Sequence, residues 1–197
     1  MTQSPTQADT LQAVVMGASA GALDALSSVL TKLPRGFSLP ILIVTHLPPD
    51  KDSILSSLLA SKCKIAVREA EDKEPIVPGV AFIAPPDYHL LVEKDGRLSL
   101  SSDEAVQFSR PSIDVLFESA ADAYGNALIG IILTGANDDG ARGLRAIADA
   151  GGLVLVQRTD LAYASTMPRA ALAACPSARE MTLEEIATYL CATTKMP

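Results

Sequence analysis

The stretch VVMGASAGAL (residues 14–23) joins an apolar run to a glycine-rich turn and then to a helical pattern. The apolar residues of LQAVVM (11–16) have the length and composition of a buried strand, and leucine or valine recurs at helical spacing from 23 to 33. The turn between them holds one serine, Ser19, within a G-x-S-x-G pattern. That pattern suits either a plain structural turn or a strand–turn–helix elbow that exposes a nucleophilic oxygen.

The same alternation of strand and helix continues along the chain. Further strand patterns lie at 40–49, 64–70, 127–135 and 153–157, and further helical patterns at 50–62, 110–125, 139–152, 166–174 and 182–194. Between residues 79 and 101, short β runs flank Asp95-Gly96, a dipeptide typical of hairpin turns. We therefore predict an α/β fold, a doubly wound, mostly parallel sheet with helices on both faces and an interrupting β-hairpin.

Length and composition bound the domain organisation and the partners. The 197 residues predict one domain over 11–197 after a flexible polar tail at 1–10. A net charge of −7 argues against nucleic-acid binding, which needs a basic face. No secretory signal and no apolar stretch of about 18 residues is present, so we expect a cytoplasmic protein without membrane insertion.

Cysteine and histidine usage argues against a metal site. The three cysteines (Cys63, Cys175 and Cys191) lack CxxC spacing, and the chain has only two histidines. An odd number of scattered cysteines is typical of free thiols in a reducing compartment. We expect no structural zinc site.

Three strand ends carry the candidate chemistry, because ligands of such sheets bind at the carboxyl ends of the strands. The first strand is followed by Ser19, the second by His46, and the strand at 127–135 by the aspartates Asp138 and Asp139. Together they supply a nucleophile, a base and a carboxylate that could orient the base. We expect the Ser19 hydroxyl within about 3.5 Å of a His46 nitrogen.

Two assignments stay open at the level of residue chemistry. His89 also lies beside a strand and competes with His46, which we favour because it ends a central strand before a proline-rich loop. Asp138 and Asp139 both precede Gly140 and a helix, so either could be an N-cap or the residue that orients the histidine.

Two known enzyme classes fit the pattern poorly. A dinucleotide-binding dehydrogenase needs G-x-G-x-x-G, but Ser19 stands at the second glycine, and none of the four tyrosines has lysine four residues later. An ordinary α/β-hydrolase has its histidine last, whereas no histidine follows His89 here.

Several blocks in order resemble the catalytic domain of bacterial chemotaxis protein-glutamate methylesterases. The blocks span roughly residues 12–192 and read VVMGASAGALDAL, ILIVTHLPPD, PGVAFIAPPDYHLLV, RPSIDVLFESAADAYG, IGIILTGANDDGARGL and STMPRAAL. The resemblance implies hydrolysis of γ-glutamyl methyl esters on the cytoplasmic helices of methyl-accepting chemotaxis receptors, with release of methanol, and a related deamidation of glutamine. It implies no metal and no organic cofactor.

The resemblance also implies roles for individual residues. Ser19 matches the nucleophile, His46 the base, and Asp139 the acid of the family's block. We expect the oxyanion donors to be the backbone N–H of Ala20 and one from the Gly135–Ala136 turn.

The chain departs from the family pattern at a few positions. Ala20, Gly21 and Ala22 replace a hydroxyl residue and two glycines, and Ala136 and Asn137 replace methionine and glycine. The family's upstream receiver domain is expected to be absent. A catalytically weak or inactive methylesterase-like binding domain of a signalling complex is the alternative function.

Overall fold

The computed structural model describes residues 11–46 and 54–193. Within these ranges the strands are β1 (Ala13–Ala18), β2 (Ile41–Thr45), β3 (Ala66–Glu69), β4 (Val80–Ile83), β5 (His89–Val92), β6 (Leu98–Ser101), β7 (Leu128–Ile132), β8 (Leu153–Gln157) and β9 (Arg179–Met181). The helices are α1 (Ala22–Leu30), α2 (Ile54–Lys62), α3 (Ile113–Tyr124), α4 (Ala141–Asp149), α5 (Thr166–Ala174) and α6 (Leu183–Thr193). None of the helices in these two ranges is both long and apolar enough to cross a bilayer.

The main sheet is parallel and has the order β3-β4-β2-β1-β7-β8-β9. Its three central strands, β1, β2 and β7, are buried at every residue, as expected of strands covered on both faces. Strands β5 and β6 form a separate antiparallel hairpin, whose turn contains Gly96 at φ 80°. The predicted fold class and the interrupting hairpin are both confirmed.

Each face of the sheet has its own apolar core. Helices α1, α2 and α6 cover one face, where Met16, Leu26 and Ile186 are among the buried side chains. Helices α3, α4 and α5, with the hairpin, cover the other face around Phe82 and Phe117. The chain therefore leaves β1 towards one face and β7 towards the other, which makes the gap between these neighbouring strands a topological switch point.

The structure differs from the sequence prediction mainly at element ends. Helix α1 ends at Leu30, although the apolar spacing continues to Leu33. Strand β9, the short segment Arg179–Met181 at the sheet edge, was not predicted, because three residues with no buried member carry no strand pattern. The predicted tail at 1–10 lies outside the described residues.

A close approach of α3 to β1 shapes the carboxyl edge of the sheet. A Cβ on Gly17 would lie 2.4 Å from Ile113 Cγ2, a separation that no side chain tolerates. A Cβ on Gly140, which has φ 95°, would lie 2.6 Å from the same Ile113 atom. These two glycines let the first turn of α3 settle directly against the ends of β1 and β7.

Candidate active site

The ends of β1 and β2 bring Ser19 and His46 together. Ala18 and Thr45 are partners in the parallel ladder, and Ser19 and His46 are the next residues on the two strands. Neighbouring strands lie about 4.8 Å apart, so the two residues emerge side by side. The Ser19 N–H donates to the Thr134 carbonyl at 2.9 Å, which ties this point to the end of β7.

Asp139 completes the group from the β7–α4 loop. His46 Nε2 lies 2.8 Å from Asp139 Oδ2, with the histidine side chain 15% exposed and the aspartate fully buried. The same oxygen accepts the Ile113 N–H, so it presents lone pairs and Nε2 must carry the proton. The neutral imidazole is therefore held as the Nε2–H tautomer, which leaves Nδ1 as its basic nitrogen.

The first turn of α3 fixes the Asp139 carboxylate. Oδ1 accepts the Ser112 hydroxyl at 2.9 Å and the Asp114 N–H at 3.0 Å, and Oδ2 accepts the Ile113 N–H at 2.7 Å. Burial alone would raise the pKa of Asp139. The hydrogen bonds from His46 and from this turn outweigh burial and hold the pKa below its ordinary value of 3.8. The positive end of α3 favours the same ionised form.

A second buried carboxyl lies behind the first. Asp114 accepts the Gly143 N–H at 2.7 Å, and Arg142 Nε lies 3.7 Å from its other oxygen. Burial raises the pKa of Asp114 above 3.8, and the nearby negative charge of Asp139 adds to this effect. The two neighbouring carboxyls are thus shifted in opposite directions, with Asp139 the one held as a carboxylate.

His89 occupies a different position from His46. It is buried, its Nδ1 accepts the Ser112 N–H at 3.1 Å, and its Nε2 donates to the Glu104 carbonyl at 3.0 Å. Both nitrogens are thereby used by the backbone, and neither contacts Ser19. His89 supports the residue whose hydroxyl holds Asp139, and it does not compete with His46 at the strand ends.

The two adjacent aspartates are also separated by the fold. Asp138 is exposed, and its backbone carbonyl accepts the Ala141 N–H at 3.2 Å, whereas Asp139 is fully buried. The N-cap of α4 is Gly140, without a side-chain cap bond, so the N-cap interpretation of both aspartates is wrong. Asp139 is the one that reaches the imidazole.

The expected oxyanion donors require one correction. The Gly135 N–H donates to the Ala164 carbonyl at 3.0 Å and is therefore not free to bind an oxyanion. The N–H groups of Ala20 and Ala136 have no hydrogen-bond partner within residues 11–46 and 54–193. The Thr134 hydroxyl donates to the Ala20 carbonyl at 2.8 Å, which holds the Ala20–Gly21 peptide of the turn that follows Ser19. Ala20 and Ala136 remain the candidates.

Asn137, a departure from the family pattern, contacts the base nitrogen. Its Nδ2 lies 3.2 Å from His46 Nδ1, and its Oδ1 lies 3.4 Å from the Asp139 N–H nitrogen. Among the described residues no hydrogen bond joins the Ser19 hydroxyl to the imidazole, so the expected serine–histidine bond is not formed in this structure. The sequence signalled Asn137 only as a departure from the family pattern.

A cleft of about 310 Å³ opens beside His46. Its other lining residues are Asp87, Ala105, Phe108, Ser109, Arg110 and Pro111. Arg110 pairs with Asp87 at 3.0 Å and donates to two backbone carbonyls, which fixes one wall. Phe108 stands fully exposed at the tip of a tight turn closed by Val106 and Ser109, and both tip residues have positive φ. Sequence reasoning missed this aromatic.

The described part of the chain offers no alternative metal centre. Within residues 11–46 and 54–193, no group of three or more histidine, cysteine or acidic side chains could hold a metal ion. Cys63, Cys175 and Cys191 form no disulfide among the described residues.

Fold and site together define an α/β protein that carries the residue set of serine hydrolases at the carboxyl edge of its sheet. The chain belongs to the CheB methylesterase family, whose model matches residues 14–190. The match covers both faces of the sheet and all three strand ends described above.

Individual relatives and a solved structure agree with this membership. A relative from Leptospira interrogans is 48% identical over 176 residues, 89% of this chain and 91% of the relative. The protein-glutamate methylesterase/protein-glutamine glutaminase 3 of Shewanella oneidensis is 38% identical over 185 residues, and the match spans 52% of its length. The crystal structure of the Thermotoga maritima CheB methylesterase catalytic domain superposes with a TM-score of 0.88 at 30% identity, covering 92% of this chain and 98% of that one.

Proposed function

We propose that the protein hydrolyses γ-glutamyl methyl esters of a protein substrate, with Ser19 as nucleophile, His46 as base and Asp139 as the residue that orients the base. One observation carries the proposal. A buried carboxylate, held by the first turn of α3, binds the imidazole at 2.8 Å at the strand end that adjoins Ser19. Family membership supplies the reaction class.

The first half of the reaction forms an acyl-enzyme. The Ser19 oxygen attacks the γ-carbonyl carbon while its proton moves to His46 Nδ1, because Nε2 is committed to Asp139. The negative charge on the carbonyl oxygen is stabilised by the N–H groups of Ala20 and Ala136 and by the amino end of α1. The imidazolium then gives its proton to the departing methoxy oxygen, and methanol leaves.

The second half restores the enzyme. A water molecule attacks the acyl carbon as His46 Nδ1 takes one of its protons. The tetrahedral intermediate collapses, the proton returns to the Ser19 oxygen, and a glutamate side chain is released. The Asp139 carboxylate stabilises the imidazolium in both halves and keeps the ring from turning. Replacing the methoxy group by the amide of glutamine would release ammonia by the same steps.

The surroundings of the site suit a large substrate. Two strongly exposed aromatic side chains lie close to the site. Phe108 is fully exposed beside the His46 cleft, and Tyr163, 84% exposed, packs over Gly21 next to Ser19. We propose that these side chains contact the methylated cytoplasmic helices of a chemoreceptor. The methyl ester would then enter the site between the two aromatic side chains.

Methanol release tests the proposal directly. Membranes that carry receptors methylated with a labelled methyl group are incubated with the protein and with Ser19→Ala. We expect the label to appear as volatile methanol only with the unaltered protein, at a rate at least about 10³-fold above the variant. If neither protein releases methanol but both bind the membranes, the protein is a binding module and the proposed activity is wrong.

A further inference from the structure

Asn137 lies where its side chain covers the Nδ1 nitrogen of His46. It lies in the loop between β7 and α4, two residues before Asp139, and is half-buried. Its Nδ2 approaches His46 Nδ1 at 3.2 Å, opposite the Asp139 carboxylate on the other ring nitrogen. The imidazole is therefore held between two side chains of the same loop.

The hydrogen-bond network fixes the direction of this contact. Nε2 carries the proton, because it faces a carboxylate oxygen that already accepts the Ile113 N–H. Nδ1 is consequently an acceptor with one in-plane lone pair. The amide of Asn137 must present its NH₂ group to that lone pair, since its oxygen faces the Asp139 N–H on the other side. Turning the amide over would place its oxygen against the Nδ1 lone pair and its NH₂ group against the Asp139 N–H, and neither contact would then be a hydrogen bond.

The Asn137 amide and the Ser19 hydroxyl compete for the same lone pair. The proposed reaction needs the hydroxyl to donate to Nδ1, and a single lone pair accepts one strong hydrogen bond. Asn137 holds that lone pair here, and the hydroxyl makes no hydrogen bond to the ring within the described residues. The nucleophile and its base are thus neighbours that are kept apart.

We propose that Asn137 caps the base in the resting site, so that the Ser19–His46 pair forms only when the Asn137 side chain turns away. This inference rests on the proposed roles of Ser19 and His46. The cap is easy to open, because its second contact, to the Asp139 N–H, is long at 3.4 Å and the residue is only half-buried. A substrate that enters the cleft beside His46 displaces it. Family members with glycine at this position lack the side chain and therefore the cap.

Reactivity of Ser19 towards a small fluorophosphonate tests the cap without any receptor. The probe forms a bond from the serine oxygen to phosphorus and releases fluoride, while the serine proton passes to His46. We expect Asn137→Ala to raise the second-order rate constant of labelling by about two- to twelvefold, the factor that one hydrogen bond's usual net strength gives. Asp138→Asn, one residue away and turned to solvent, is the matched control and should label at the original rate. An unchanged or slower Asn137→Ala overturns the cap.

Nitrogen-15 NMR of the histidine rings provides a test that does not depend on a rate. The chain has only two histidines, so ¹⁵N-histidine labelling gives two ring systems, with the backbone-bound His89 as internal reference. At a pH where the rings are neutral, we expect the hydrogen-bonded Nδ1 signal of His46 to shift in Asn137→Ala and to stay in place in Ser19→Ala. The reverse pattern means that the serine already occupies Nδ1, and the inference is wrong.

These measurements separate the inference from the function on which it rests. Labelling and ring signals report the serine–histidine pair whatever the substrate is. If Asn137→Ala labels faster and shifts the His46 Nδ1 signal but no methanol is released, the proposed substrate is wrong and the cap stands. If methanol is released but neither Asn137→Ala effect is seen, the function stands and the cap is wrong.

Discussion

The two histidines lie in neighbouring regions and each is hydrogen-bonded through both ring nitrogens, yet only His46 is available for chemistry. His89 lies at the start of β5, buried, with both ring nitrogens bound to backbone groups. His46 follows β2, partly exposed beside a cleft, with both nitrogens bound to side chains. Ser112 links the regions, since its N–H binds His89 and its hydroxyl binds the carboxylate that holds His46.

The difference teaches where rigidity and mobility are placed in this site. Backbone partners cannot move without unfolding part of the molecule. His89 and Asp139, which backbone groups bind, are therefore held rigidly. The side-chain partner Asn137 can turn about its own bonds, which leaves Nδ1 of His46 free to change partner. Substitutions should therefore separate into those that affect activity and those that affect stability.

Loss of His46 should produce the largest effect on activity. We expect His46→Ala to lower the rate of methanol release by about 10³-fold or more, because the proposed reaction then loses its general base. The free energy of unfolding should fall by about 1–2 kcal/mol, because the buried Asp139 carboxylate loses one hydrogen-bond partner but keeps those from the first turn of α3. Steady-state rates and thermal melts measure both. If His46→Ala fails to fold, His46 has the structural role that we assign to His89.

Asp139 should combine both kinds of effect. We expect Asp139→Asn to lower turnover by about 10²–10⁴-fold, because an amide stabilises the wrong ring tautomer and carries no charge. The NH₂ group of the introduced asparagine would also face hydrogen-bond donors of the first turn of α3. The free energy of unfolding should therefore fall by about 1–3 kcal/mol while the fold is kept. Asp138→Asn, the matched control, should cost less than about tenfold in turnover. The opposite ranking would mean that Asp138 orients the base.

His89 should show the reverse pattern to His46. Removing a buried ring with two backbone hydrogen bonds, as in His89→Ala, should lower the free energy of unfolding by about 2–4 kcal/mol. Activity measured well below the melting temperature should fall by less than about tenfold, an effect that passes through Ser112 and Asp139. Urea unfolding curves and rates on the same preparation decide it. A stable but inactive variant would contradict a structural role for His89.

Phe108 should matter for the protein substrate and leave the chemistry unchanged. We expect Phe108→Ala to raise KM for methylated receptors by about three- to tenfold with little change in kcat, as for a contact aromatic at an interface. Hydrolysis of a small ester should be unaffected. Val77→Ala is the control, because Val77 is an exposed apolar residue that precedes β4, at the opposite end of the sheet. Equal effects of both variants would exclude a docking role.

The smallest expected effect is in the acid dependence of stability. The folded pKa of Asp139 lies below its ordinary 3.8, so its stabilisation is complete above about pH 4 and is lost as pH falls through the folded value. Asp139→Asn should therefore lose stability less steeply than the unaltered protein below pH 4. Asp114, with a raised pKa, works in the opposite sense and at higher pH. Its carboxylate lowers stability above the folded pKa, and this loss is relieved as pH falls through the folded value towards 3.8, so Asp114→Asn should lack that gain of stability above about pH 4. Unfolding free energies at several acid pH values compare the three proteins. Equal slopes would contradict these shifts.

The fold could be predicted from the sequence because its signals are local. Continuous apolar runs such as those of β1 and β7, alternating with helical spacing, are enough to indicate a parallel sheet covered on both faces. The Asp95-Gly96 turn alone signals the hairpin. Strand β9 escaped prediction because its pairing depends on β8, a neighbour in space that gives no sign in three exposed or half-buried residues.

The residues of the candidate site also divide into those that local sequence patterns indicate and those that only the tertiary structure reveals. By itself the sequence determined the α/β class, the order of the strand ends and therefore the residues that could meet there, Ser19, His46 and an aspartate. Only the tertiary structure decided between Asp138 and Asp139, excluded the Gly135 N–H, and placed Asn137 on the base nitrogen. The physical reason is that apolar periodicity specifies which side of an element is buried. The direction of a side chain on an irregular loop depends on hydrogen bonds to residues 25–93 positions away, which no local pattern encodes.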